Sequence, residues 1–326
     1  MDENNFNISG NNLNNRKGPL SNLPPLVFIF LSLSAVFFLY QIVGGMISYL
    51  LIGEDMEIKS ENLNLTRLIL SFAQFMFILF PSIVLVMLQG NNLKETFRLK
   101  KPKMSVFFFA VIGILVIQPF LQVYLYYQNE LIFNLPFGKE IINQLKELFD
   151  LLESATQKLV EANSIPEFIV VLIVIAVTPA ICEEFLFRGL VFKNFEKIIP
   201  ASKAIFFTGL LFALFHFHPF NIVPLTVLGI FLTFIVYHSG SIYTAVACHF
   251  INNFLSALAV YIYGTESLAS VGSGDMSSEE QIQFALLGLL SLVVFVGVIV
   301  MIKKHSANAN DIDNKDSFIN LPPDIK

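Results

Sequence analysis

Apolar runs recur along this chain, each close to the roughly 20 residues that an α-helix needs to cross a hydrocarbon core of about 30 Å. They fall at about 26–52, 67–88, 104–126, 167–187, 203–218, 221–238, 241–263 and 283–302. Lipid offers no solvent to unpaired backbone groups, so such runs must be helical. The sequence therefore predicts an all-α fold, a polytopic membrane helix bundle of about eight transmembrane helices. Composition agrees: 55% of residues are hydrophobic and 14% are charged, against about 25% charged in soluble domains. The fifth and sixth runs are short and separated by His218-Pro219-Phe220-Asn221, which would let their shared turn lie within the membrane.

The first apolar run is too long for a signal-peptide core, and no basic region leads into it, so it is expected to be a retained helix. The polar, asparagine-rich segment 1–24 and the tail 305–326 hold few apolar residues and are expected to be disordered. Between the third and fourth runs, Ile141, Leu145, Leu148, Phe149, Leu152, Ala155 and Leu159 recur at helical spacing. They predict an amphipathic helix within 127–166, lying on the outer membrane surface. Nothing in the sequence prefers a lid over that reading.

Basic residues orient the bundle. With the N-terminus in the cytoplasm, fifteen of the 20 Lys and Arg residues fall on that side. Lys59, Arg67, Lys139, Lys146 and Lys158 are left for the other. That distribution follows the positive-inside rule and predicts a multi-pass membrane protein with both termini cytoplasmic; a bacterial cell membrane is the expected setting. The formal net charge is −5 and there is no basic patch of the size nucleic acid requires.

Ionisable groups interrupt this apolar background. Phe168–Ala180 (FIVVLIVIAVTPA) carries no charge, and then Glu183, Glu184 and Arg188 follow within six residues. An ionisable residue within a membrane segment costs several kcal/mol unless paired or solvated, which makes it a functional-site candidate. Glu184 and Arg188 are spaced i,i+4 and can pair. Glu183 lies about 100° round the helix and cannot share that partner equally. A carboxylate in an apolar setting beside a second one is suited to general-base work, so Glu183 is the candidate catalytic carboxylate. Thr208, Phe212 and His216 form a row on a later helix; Ser241, Ala245, His249 and Asn253 form another. At about 1.5 Å per residue, Glu183 lies about 15 Å from Lys193, His216 about 20 Å from Lys203 and His249 about 14 Å from Gly240, so the polar groups can meet at one level.

Each group also has a plainer reading. Glu184–Arg188 could be a packing ion pair, and a lone His can serve only to bond a neighbouring helix. His218, before Pro219, reads as a turn residue, and His238 as interfacial. Asn252 is one position off the His249 row, so Asn253 is preferred. Cys182 and Cys248 neighbour Glu183 and His249, but free cysteine is commonly a small buried hydrophobe, and packing is the better account.

EEFLFRG (Glu183–Gly189), FALFH (Phe212–His216) and HFINN (His249–Asn253) together resemble the three motifs of the CPBP family. This family comprises the type II CAAX prenyl endopeptidases and the Abi-type or bacteriocin-processing membrane proteases. The resemblance covers roughly 167–263, a CPBP-like catalytic core set between three N-terminal helices (25–126) with their extracytoplasmic loop (127–166) and a final loop and helix (264–304). It implies an intramembrane endopeptidase acting on a membrane-associated protein or peptide. Glu183 and His216 would activate a water, His249 and Asn253 would stabilise the oxyanion, and Glu184 and Arg188 would support the first helix. The family is described both as metalloproteases and as metal-independent glutamate proteases. Zinc on Glu183, His216 and His249 is the metal alternative, although no HExxH pair is present; no cofactor is preferred. The rival classes are a non-catalytic membrane immunity or scaffold protein and a proton-coupled transporter. Transporters often carry internal repeats, and none is seen.

Overall fold

The computed structural model describes residues 18–52, 62–135, 138–264 and 276–319. These residues form nine principal helices, eight of them apolar. Seven are long and apolar enough to cross a membrane: α1 (Pro25–Ile47), α2 (Leu63–Leu88), α3 (Met104–Phe133), α5 (Ile165–Phe195), α7 (Pro219–Ser239), α8 (Ile242–Tyr263) and α9, whose membrane-spanning part is Ser278–Ser306. Between them come the amphipathic α4 (Lys139–Val160) and the shorter apolar α6 (Ala201–Phe215). The chain is an integral membrane protein with an all-α, polytopic fold.

α6 has 15 residues, a length of about 22 Å, which is short of the hydrocarbon thickness. His216 caps its end, and Phe217 then takes a left-handed backbone (φ 51°) that reverses the chain into a single 3₁₀ turn, Pro219–Asn221. A bulky residue seldom adopts that conformation. The Phe37 ring of α1, 5.1 Å away, packs against the Phe217 ring.

α6 and α7 approach closely through two glycines. A Cβ on Gly209 would lie 2.5 Å from the Ile230 nitrogen, and one on Gly229 2.7 Å from the Gly209 oxygen. Small residues at such a crossing let helix backbones meet. The meeting carries the Gly229 carbonyl towards α5.

Prolines open the hydrogen-bond ladders of two helices, and side chains fill the gaps. Pro119 interrupts α3, where Ser291 Oγ of α9 accepts from Phe120 N at 3.2 Å and donates to Val116 O at 2.5 Å. In α5, Pro179 has no N–H to offer the Ile175 carbonyl four residues before it. Asn253 Nδ2 of α8 donates to that carbonyl instead, at 3.0 Å. α5 is also wound as a π-helix over Leu172–Val177 and Phe185–Val191, leaving Thr178–Glu184 as an α-helical segment between. π-Helical turns are rare and concentrate at functional sites.

Several segments depart from the expectations. α3 runs past Tyr126 to Phe133, and α4 docks at its C-terminal end rather than only lying on a surface. Arg67 of α2, fully buried, donates from Nε to Leu159 O at 2.9 Å and from Nη2 to Glu161 O. Its Nη1 bonds Asn64 Oδ1 at 2.7 Å and pairs with Glu167 Oε1 at 2.9 Å. Ile141, Leu145 and Leu148 are exposed; the side chains of Leu152 and Ala155 lie outside the described residues. The expected disordered segment 1–24 falls mostly on residues outside the described ones, but its end is seated, with Leu20 N donating to Leu88 O at 2.9 Å. α9 continues to Ile319, past Ser306, where the tail was expected to lose structure; no glycine or proline interrupts that stretch.

Candidate active site

α5 carries Glu183, Glu184 and Arg188, α6 delivers His216 at its end, and α8 supplies His249 and Asn253. Glu184 and Arg188 are both wholly buried and paired, Nη1 to Oε1, at 2.7 Å. The remaining guanidinium donors reach α7: Nη2 bonds Gly229 O at 3.0 Å and Nε bonds Thr233 Oγ1 at 3.3 Å. The guanidinium also stands 4.5 Å over the Phe212 ring of α6. One buried arginine thus ties α5, α6 and α7 together, and its planar fork suits such a role better than a lysine would.

His249 Nδ1 donates to the same oxygen, Glu184 Oε1, at 2.8 Å. His216 Nδ1 donates to Phe212 O, one turn earlier, at 2.7 Å. With both δ nitrogens occupied as donors, both imidazoles turn their ε nitrogens elsewhere. Those nitrogens converge on one atom: Glu183 Oε2 lies 3.8 Å from His216 Nε2 and 4.0 Å from His249 Nε2. That carboxylate oxygen is buried and has no hydrogen-bond partner among the described residues. Separations of this size are too long for direct hydrogen bonds and are spanned by water in polar sites.

The structure therefore brings five of the six sequence-picked residues into one cluster. Asn253 stands one turn from His249 with a hydrogen of its amide spent on Ile175 O, and its Oδ1 accepts from Asn252 Nδ2 at 3.1 Å. Cys182 and Cys248 are free and fully buried, and each packs within an apolar cluster. His218 sits in the turn after α6, its ring 5.0 Å from that of Phe149 on α4.

Sequence reasoning alone does not pick out Thr233 and Gly229, which hold Arg188. A polar residue one helical turn after a glycine, as in Gly229-x-x-x-Thr233, is the available signal.

The donor chemistry suits a transition metal, since neutral imidazoles held at Nδ1 by a carbonyl and a carboxylate are typical ligands. The spacing does not close around one ion. Ligands of a tetrahedral zinc stand roughly 3.3 Å apart, and among the described residues no group of three His, Cys, Asp or Glu could hold a metal.

Residues 165–255 match the family model "Type II CAAX prenyl endopeptidase Rce1-like". Over this segment the chain is similar to the CAAX intramembrane protease family. The matched residues begin at the start of α5 and end just past Asn253, so they hold all six site residues, while α1–α4 and α9 lie outside them. Neither the curated proteins nor the solved structures provide a match to the chain.

Proposed function

We propose that this membrane protein hydrolyses a peptide bond of a membrane-associated protein or peptide, using a water activated by Glu183. The observation that carries the reading is the convergence of His216 Nε2 and His249 Nε2 on the partnerless Glu183 Oε2. A water in that space donates one hydrogen to Glu183 Oε2 and the other to His216 Nε2, whose lone pair is free because Nδ1 carries the proton. Glu183 takes the proton as the water oxygen attacks the scissile carbonyl carbon, and returns it to the leaving amine as the carbon–nitrogen bond breaks. The negative oxygen formed in between needs donors placed in advance. His249 serves there as an imidazolium, its Nδ1–H held by the Glu184 carboxylate, and Asn253 contributes its second amide hydrogen.

An apolar cavity of about 440 Å³ lies at the end of α6, walled by Leu33 of α1, Leu211 and Leu214 of α6, and Phe217 and Ile222 beyond it. None of the six site residues lines it. It has room for an apolar segment or chain of a substrate held beside His216. The distribution of basic residues supports cytoplasmic termini and an external α4. Zinc bound by Glu183, His216 and His249 is the second reading, favoured by the orientation of both imidazoles alone.

The deciding experiment is purification in detergent followed by incubation with a quenched-fluorescence peptide library. Cleavage at defined bonds is expected. A well-folded chain that cleaves nothing, in detergent or in liposomes, overturns the protease reading in favour of a scaffold or transporter.

A further inference from the structure

A line of three side-chain amides runs from α3 to Asn253. Gln118 Nε2 bonds Ile114 O at 2.9 Å and Asn252 Oδ1 at 3.0 Å. Asn252 Nδ2 bonds Asn253 Oδ1 at 3.1 Å, and Asn253 Nδ2 bonds Ile175 O at 3.0 Å. The direction of the line is fixed from both ends, because a backbone carbonyl only accepts. Ile114 O demands nitrogen from Gln118, and Ile175 O demands nitrogen from Asn253. With those two set, Asn252 must turn its oxygen to Gln118 and its nitrogen to Asn253.

One terminus of the line is built by a helix-breaking proline, and the other stands beside one. Ile175 O accepts a side chain because Pro179 cannot serve it. Gln118 stands next to Pro119, where Ser291 of α9 replaces the broken ladder contact between Val116 and Phe120. The line thus reaches from α3 through α8 to α5, the helix that bears Glu183.

We infer that Gln118 and Asn252 are positioning residues for the proposed hydrolysis, acting through Asn253 by anchoring the oxygen of a carboxamide whose nitrogen is already set by Ile175 O. The inference rests on the protease reading above. A carboxamide held only at its nitrogen can swing about that bond and carry its second amide hydrogen away from a developing oxyanion. Gln118 lies outside the matched segment, and Asn252, although within HFINN, is off the His249 row.

The test uses the full-length chain in detergent, with the best-cleaved member of the peptide library as substrate. Asn252→Leu keeps the side-chain size, leaves Gln118 bonded to Ile114, and removes the donor to Asn253 Oδ1. It should lower kcat about ten-fold, the equivalent of one well-made hydrogen bond, with KM changed by less than about two-fold. Gln118→Met, which only frees Asn252, should lower kcat by about three-fold. The double variant Asn252→Leu/Asn253→Ala should be no slower than Asn253→Ala alone, because a residue acting only through Asn253 has nothing left to orient. Additive losses, or an unchanged kcat in Asn252→Leu, overturn the inference. If the wild-type chain cleaves no peptide, the protease reading fails by itself, and the amide line is judged by nuclear magnetic resonance. The side-chain amide signals of Asn253, assigned by their disappearance in Asn253→Ala, should then move in both Asn252→Leu and Gln118→Met. Signals unmoved in either variant overturn the positioning of Asn253.

Discussion

Glu184 Oε1 lies 2.8 Å from His249 Nδ1, joining α5 to α8 through a carboxylate with no exposed surface. The same oxygen takes Arg188 Nη1 at 2.7 Å, so one buried acid holds a guanidinium and an imidazole. Glu183, its neighbour in the chain, meets the same imidazole from the opposite ring nitrogen. The adjacent acids therefore divide the labour: Glu184 fixes the imidazole, and Glu183 faces the space in front of it.

Arg188→Met tests the structural half of that division. Removing one partner of a buried pair leaves the other uncompensated, typically at about 3–5 kcal/mol. Gly229 O and Thr233 Oγ1 lose a donor as well. A fall of that size in unfolding free energy in detergent is expected, and near-native stability would deny Arg188 its tie between helices.

Glu183→Gln tests the other half. The amide preserves shape but cannot accept the proton of water, so cleavage should fall by at least about 10²-fold. The unfolding temperature should stay near that of the wild type, because Glu183 Oε2 has no hydrogen bond to lose. Near-normal cleavage by the purified variant would remove Glu183 from the role of base.

Much of this arrangement could be read from spacing. Apolar run lengths gave the helices, i,i+4 spacing gave Glu184–Arg188, and residue counts from the basic ends put Glu183, His216 and His249 at one depth. What spacing could not supply was inter-helix approach. Gly209 and Gly229 look like ordinary membrane glycines until α6 and α7 are seen to touch there. Arg67 counted in the sequence as one external cation, but it is buried and bonds the end of α4. Asn252 was set aside because it is off the helical row, and that offset is what turns it towards α3.

Gly229→Ala should separate α6 from α7, since its Cβ would meet Gly209 O at 2.7 Å and the backbone there cannot yield cheaply. Overpacking of this kind costs about 1–3 kcal/mol. The Gly229 carbonyl would also shift from Arg188, so activity should fall together with stability. A variant as stable and active as wild type would show that the close crossing is dispensable.

Orientation follows from charge and is checked with reporters. Fusions after Lys101 and after Lys304 should read cytoplasmic, and one within 139–162 should read external. An external signal at Lys101 would invert the whole assignment.

Metal dependence and the oxyanion donors can be separated in one set of variants. Water activation by Glu183 and His216 alone predicts cleavage that survives exhaustive chelation, with no stoichiometric metal in the purified protein. Asn253→Ala should then lower kcat by about 10²–10³-fold, the loss seen when one oxyanion donor is removed, with substrate binding and metal content unchanged. A zinc centre predicts a different pattern. His216→Ala and His249→Ala would each lose bound metal, because imidazole ligation and affinity are linked. Stoichiometric zinc, whose removal stops cleavage and whose return restores it, would show that the two ε nitrogens and Glu183 close around an ion rather than a water.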